Sequence, residues 1–256
     1  YPFFAIMKTI FFSFSAEPVW KSFFFFEGSV LDKLTVWTRQ NPEVRVVFLM
    51  PTGYVEKFGP RFQEKLHERC IVEGIPFVKK QTLAQRAFRF FYSYFIYTGT
   101  TRIMATIGIR PDEPPAGGRF KKYLGPIKWL ISKIFGRSHF MRERFVQYFY
   151  YRIFRDSQFY GLFKKFDPSF VFVSNLYGQF DTTLIAEAKK RHIPTMGMTT
   201  NWDHYDKYYL PFKTDILLVQ SEQMKDFAMR YQGYNRDRLY FTGYPHLDFV
   251  SREGST

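Results

Sequence analysis

The stretch that decides the fold runs from Asp167 to Phe249: DPSFVFVSNLYGQFDTTLIAEAKKRHIPTMGMTTNWDHYDKYYLPFKTDILLVQSEQMKDFAMRYQGYNRDRLYFTGYPHLDF. Phe170–Val173 (FVFV), Pro194–Thr199 and Asp215–Val219 (DILLV) are short apolar runs of strand length, and Leu239–Phe241 is a shorter one. Between them lie segments of helical composition. Asp181 is read as the cap of a helix through Lys190. Ser221 caps a second, Glu222–Tyr231, which Gly233 stops. Strands alternating with helices predict a parallel α/β sheet. In such sheets ligands collect beyond the carboxyl ends of the strands, which here means the loops Ser174–Gln179, Thr200–Tyr208 and Gln220-Ser221.

The N-terminal third has the same rhythm. Lys8–Phe14 (KTIFFSF) and Val44–Met50 (VRVVFLM) read as buried strands, and Ile71–Phe77 contains a third. A helix is expected over Phe23–Trp37, where Val30, Leu31, Leu34 and Trp37 share a face and Asn41-Pro42 closes it. Pro51-Thr52-Gly53 reads as an exit turn, followed by a helix at Phe62–Arg69. The expected class is a Rossmann-like, mostly parallel α/β sheet with helices on both faces. It is interrupted by a helical insert in which no strand is read. The divisions are 1–81 (first half of the α/β domain), 82–165 (insert), 166–242 (second half) and 243–256 (hinge).

Charge sharpens this division. The 256 residues carry 37 Lys+Arg against 23 Asp+Glu, a formal charge of +14, and 33 Phe with 18 Tyr. The insert holds sixteen basic and four acidic residues, so nearly all the excess charge sits there. Helices are read over Thr82–Tyr97, from Pro126 to just before Gly136, over His139–Arg155 and over Gln158–Lys165. Leu124, Ile127, Ile131, Ile134 and Phe135 form an apolar stripe, with Lys128, Lys133 and Arg137 beside or opposite it. Basic amphipathic surface rich in aromatics fits an anionic interface. The residues assigned to a membrane or anionic-acceptor contact are Arg119, Lys121, Lys122, Lys128, Trp129 and Lys133. The longest uncharged run of this region, Phe90–Thr101, falls well short of the ~18–20 residues that span a bilayer. The first residues are too short an apolar run for a signal peptide, and Met7 is a candidate start.

Several chemistries are excluded by absence. There is no Gly-x-Gly, no Gly-x-x-x-x-Gly-Lys, no Asp-x-Asp, no His-Glu-x-x-His and no Gly-x-Ser-x-Gly. A Walker ATPase, a simple dehydrogenase, a zinc hydrolase and an α/β-hydrolase are therefore not expected, nor is a resident metal. One cysteine, Cys70, forms no internal disulfide and points to a reducing compartment. Nucleic-acid binding is kept as a reading of another class on charge alone, and no Gly/aromatic RNA-binding motif supports it.

Four phrases carry a resemblance. They are Asp181-x-x-Leu184-x-x-Glu187-Ala188-Lys189-x-x-x-Ile193-Pro194, Asn201-Trp202-Asp203, Asp215–Val219, and Thr242-Gly243-Tyr244-Pro245-x-x-Asp248. Together they resemble the N-terminal, acceptor half of a GT-B glycosyltransferase of the UDP-glycosyltransferase/glycogen phosphorylase superfamily, in its bacterial type with a Ser-Trp-Asp-Asn loop. The first and last letters of that loop differ, being Asn201 and His204. The last phrase is also similar to one in CDP-glycerol glycerophosphotransferases. A UDP-N-acetylglucosamine 2-epimerase-like enzyme shares the fold.

The resemblance implies a transferase that moves a sugar from a nucleotide sugar to an envelope polysaccharide or lipid-linked acceptor. It would act without a cofactor, at the inner face of the cytoplasmic membrane. The donor would bind a C-terminal domain that lies beyond this chain, so the chain alone would be an inactive fragment. Asp203 and Glu17 are the candidate catalytic carboxylates, each placed in a loop where it can take a proton from an attacking hydroxyl. Asn201, Trp202, His204, Ser15, Asn175 and Ser221 are the candidate substrate contacts. Gly243 and Pro245 are the hinge.

Overall fold

A computed structural model of the chain describes residues 7–17, 19, 29–63, 66–77, 81–106, 124–154, 158–199 and 205–243. Among these, seven strands form one sheet: β1 (Lys8–Ser13), β2 (Val44–Pro51), β3 (Cys70–Ile75), β4 (Pro168–Val173), β5 (Thr195–Met198), β6 (Ile216–Val219) and β7 (Leu239–Phe241). Their order is β3-β2-β1-β4-β5-β6-β7, with every pairing parallel. The chain winds outward one way from β1 and the other way from β4. The pair β1/β4 is therefore the switch point of a doubly wound sheet, where such folds open a crevice at the strand ends.

Alternation along the strands explains why both faces are covered. Phe11, Val47, Leu49, Val171 and Val173 point into one core, while Phe12, Val46, Phe48, Met50 and Phe172 point into the other. Successive side chains of a strand face opposite ways, so strands this apolar need a layer on each side. The second core is covered by α1 (Val30–Gln40) and α2 (Thr52–Gln63), through Leu31 and Phe58. Ser29 starts α1 with a capping box, its hydroxyl accepting from Asp32 N–H while the Asp32 carboxylate accepts from Ser29 N–H.

The first core is covered largely by the insert. Its helices are α3 (Leu83–Ser93), α4 (Gly99–Thr106), α5 (Gly125–Ile134), α6 (Val146–Ile153, entered through a π-helical turn at Met141–Phe145) and α7 (Gln158–Phe166). Tyr92, Phe95, Tyr150, Phe154, Phe159 and Phe163 are buried against the strands of β1 and β4 and against α8 (Gln179–Lys190). The insert is thus a structural layer of the sheet, and much of its aromatic excess is core. Phe11 meets Phe163 edge-on at 5.2 Å, and Tyr150 meets Phe212 edge-on at 5.0 Å, both favourable ring geometries. The last helix, α9 (Glu222–Phe227), begins at Ser221, whose hydroxyl accepts from Met224 N–H, and continues as a π-helical turn to Gln232. Gly233 ends it at φ +70°, as expected of a glycine in that position.

Three expectations need correction. Helix α2 begins at Thr52, directly after β2, and ends at Gln63. Pro51-Thr52-Gly53 is therefore a strand-to-helix junction, and the expected helix at Phe62–Arg69 lies almost wholly past the end of α2. Asp181 does not cap α8, because the cap position is Gly178 and Asp181 is the third helical residue. Lys128, expected on an exposed basic face, is buried instead. It is 3% exposed, and its ammonium sits 4.5 Å from the centre of the Tyr94 ring. Helix α5 instead turns Ile127, Trp129, Leu130 and Ile134 outward, each about half exposed, while Ile131 and Phe135 pack on the core.

Candidate active site at the carboxyl ends of the strands

The switch point is built around a buried carboxylate. Asp181, fully buried, reaches from the first turn of α8 to the end of β1. There it accepts hydrogen bonds from the hydroxyls of Ser13 on Oδ1 and of Ser15 on Oδ2. Ser13 Oγ also accepts from Ser174 N–H (3.2 Å), and Ser174 Oγ donates to Ser13 O (2.9 Å), which closes the gap between β1 and β4. Gly178 allows this approach, since a Cβ there would lie 2.9 Å from Asp181 Oδ2. Burial pushes the Asp181 carboxyl up to about 7 from its ordinary 3.8, with the two serine bonds acting in the opposite direction. This group is therefore near half-ionised at neutral pH.

Ser15 is the member of this cluster that reaches the surface. It lines a cleft of about 590 Å3 over the ends of β1, β2 and β3, together with Thr52, Tyr54, Lys57 and Phe77. Glu17 stands at its edge, exposed and paired to Lys57 at 3.2 Å. An ion pair this open to solvent contributes little to stability, so its carboxylate is available to a ligand at small cost. Asn175 lies beside the cluster in the turn after β4, with its carbonyl accepting from Gly178 N–H at 3.0 Å. Ser221 is not near this cleft in role: its hydroxyl is engaged as the cap of α9.

The loop between β5 and β6 is held as a second wall. Gln232 Nε2 donates to the carbonyls of Tyr205 and Tyr208, both at 2.8 Å, and its Oε1 accepts from Leu210 N–H at 3.0 Å. Thr98 and Thr100 of the insert bind Asp206, the first at its carbonyl (2.8 Å) and the second at its carboxylate (2.5 Å). These bonds hold the segment 205–211 against the start of α4 and the end of α9's π-helical turn, and Tyr209 N–H donates to Ser93 O (3.0 Å) at the end of α3. Burial raises the phenols of Tyr94 and Tyr208 above their usual range, while the Arg89 guanidinium pulls Tyr208 the other way.

Of the sequence-derived site residues, the structure places Ser15 and Glu17 in the segment after β1 and Asn175 in the turn after β4. Asn201, Trp202, Asp203 and His204 lie outside the described residues, as do Arg119, Lys121, Lys122 and Pro245. Trp129 and Lys133 are exposed on α5, with the Lys133 ammonium 5.7 Å from the centre of the Trp129 ring. Gly243 adopts φ +67°, the left-handed region that favours glycine, immediately after β7. Sequence reading missed Ser13 and Asp181 as partners, Lys57, and the pair Arg86/Arg89. Only the last had a local signal, in its i, i+3 spacing on an amphipathic helix. No group of three or more potential metal-ligating side chains occurs among the described residues.

A doubly wound α/β domain with clefts along its switch-point rim is the class that this architecture defines. No protein-family model matches the chain, and no curated protein matches it. Among solved structures it is similar to a UDP-N-acetylglucosamine 2-epimerase (12% identity, TM-score 0.45, covering 96% of this chain and 48% of that one). It is also similar to a putative UDP-N-acetylglucosamine 2-epimerase from Listeria monocytogenes (10% identity, TM-score 0.45, 95% and 47%). The chain spans about half the length of these two proteins.

Proposed function

We propose that this chain is the acceptor-side domain of a two-domain GT-B glycosyltransferase acting on a nucleotide sugar. The observation that carries the reading is the cleft over the carboxyl ends of β1, β2 and β3, beside the switch point, where Ser15 is bonded to the buried Asp181 carboxylate and Glu17 pairs with the cleft-lining Lys57. An acceptor hydroxyl bound over Ser15 and Asn175 loses its proton to Glu17 or Asp203 and attacks the anomeric carbon. The bond from that carbon to the nucleoside diphosphate breaks, and the diphosphate leaves with the bonding electrons. In this reading Asn201, Trp202 and His204 contact the acceptor, and Gly243 and Pro245 serve as the hinge to the donor-binding half.

Turnover of UDP-sugars and of CDP-glycerol by the full-length protein tests the proposal. Expected is release of UDP, with Glu17→Gln or Asp203→Asn lowering kcat by about 10²–10⁴-fold. Turnover of CDP-glycerol alone would move the assignment to the glycerophosphotransferases. Interconversion of UDP-N-acetylglucosamine with its 2-epimer, and no transfer, would move it to the epimerases.

A second reading concerns location. The outward stripe Ile127, Trp129, Leu130 and Ile134, bordered by Lys133, fits a helix resting on an anionic membrane surface from the cytoplasmic side. No helix among the described residues is long and apolar enough to cross a membrane. Trp129 fluorescence should shift to the blue with phosphatidylglycerol vesicles, and Ile127→Ser with Ile134→Ser should reduce partitioning about tenfold or more. Equal partitioning of the double variant would remove this reading.

A further inference from the structure

A second cleft, of about 390 Å3, opens between α3, the turn after β4 and the fixed segment 205–211. Its size lies near the lower end of ligand pockets, which run from roughly 300 to 1,000 Å3. Arg86 and Arg89 project into it from one face of α3, a single helical turn apart. Neither forms an ion pair with a carboxylate among the described residues, and Arg89 Nη2 makes only a long bond, 3.4 Å, to Tyr177 O. Two unneutralised guanidiniums in one concavity repel each other and leave several donors unspent, a state that a bound anion relieves. Tyr94, at the C-cap of α3, and Tyr208, from the segment 205–211, also line it, their rings 6.3 Å apart, together with Gln179 from the first turn of α8.

We propose that this cleft binds a sugar phosphate, its phosphate between Arg86 and Arg89 and its sugar ring against Tyr94 and Tyr208. The volume suits one monosaccharide rather than a polymer. The charged pair at the entrance disfavours an acyl chain. The site is built without Ser15, Glu17 or Asp181 and stands independently of the transferase reading.

Calorimetric titration of the full chain with glucose 1-phosphate, inorganic phosphate and glucose is the test. Glucose 1-phosphate is expected to bind, inorganic phosphate to bind about fivefold or more weakly, and glucose to give no heat. Arg89→Gln should weaken glucose 1-phosphate binding about tenfold or more, and Arg89→Lys should recover part of the loss. Arg86→Gln, at an exposed position, should weaken it about threefold or more with an unchanged urea midpoint, which keeps the test valid if Arg89 variants fold poorly. Ser15→Ala should have no effect. Absence of glucose 1-phosphate binding would overturn the proposal. So would binding indifferent to Arg86→Gln in a folded protein, or binding of phosphatidylglycerol vesicles through these arginines without binding of the soluble phosphate.

Discussion

Replacing Asp181 by asparagine should make the protein more stable than the parent at pH 8, with an advantage that shrinks to about 1 kcal/mol or less at pH 5. In the fold the carboxyl sits at about 7, against 3.8 ordinarily, chiefly because burial penalises its charge. Between those two values the folded chain holds a proton that the unfolded chain has lost. Stability that is fully present below about pH 4 therefore declines as pH rises towards 7 and levels off above it. At about 1.4 kcal/mol per pH unit the full decline is about 4 kcal/mol. Asparagine is neutral throughout and nearly isosteric. It keeps an acceptor for one serine and forces the other hydroxyl to rotate and accept, at a cost of about 1 kcal/mol. The net expectation at pH 8 is a gain of about 3 kcal/mol for the variant, shrinking steadily towards pH 5 and vanishing only below it. Urea unfolding of both proteins at pH 5, 6, 7 and 8 measures the difference, in which every other titrating group cancels. Parallel stability profiles, with the variant below the parent at all four values, would refute the argument that a buried ionisable carboxylate occupies the switch point.

Three further outcomes are expected. Gly197→Ala places a Cβ 2.6 Å from Leu176 Cδ2 and 2.9 Å from both Thr214 Cγ2 and Val173 Cγ2, so it should cost about 1–3 kcal/mol in urea unfolding. Tyr150→Phe removes a buried hydroxyl bonded to Thr183 Oγ1 (3.2 Å) and Gln179 Nε2 (3.1 Å), and thermal or urea unfolding should report a loss of about 1 kcal/mol, both partners retaining each other. Lys128→Met should be no less stable than the parent at pH 7, because burial disfavours the ammonium and lowers its titration from 10.5; any advantage of methionine should narrow as pH climbs towards that value.

Much of the architecture was legible because strands declare themselves locally. Phe11/Phe12, Val47/Phe48 and Val171/Phe172 are apolar on both faces, which marks strands buried under two layers before any contact is known. The start of α2 was not legible, since Pro51 and Gly53 carry turn signals that the strand-to-helix junction overrides. Lys128 shows a second limit. Periodicity groups residues by face but does not say which face meets the core, and here the lysine goes inward while Ile127 and Ile134 remain outside. Asp181 shows a third. An aspartate near a helix start has a sufficient local explanation as a cap, whereas its actual partner, Ser13, lies 168 positions upstream, and no local pattern couples the two. The candidate site was therefore read as scattered loop residues, and its buried centre emerged only from the pairing of β1 with β4.

That pairing has a consequence for how the chain is made. Strand β1 lies inside the sheet and is made before the other six described strands, yet its neighbour on one side, β4, starting at Pro168, is synthesised after the entire aromatic layer. At about 5–20 residues per second the nascent β1–β3 segment waits several seconds with Phe11 and Val47 uncovered. Contacts this distant along the polypeptide also slow refolding in isolation. A chaperone that shields the emerging N-terminal segment should therefore raise the yield of soluble product more than lowering the temperature of a completed, already folded chain.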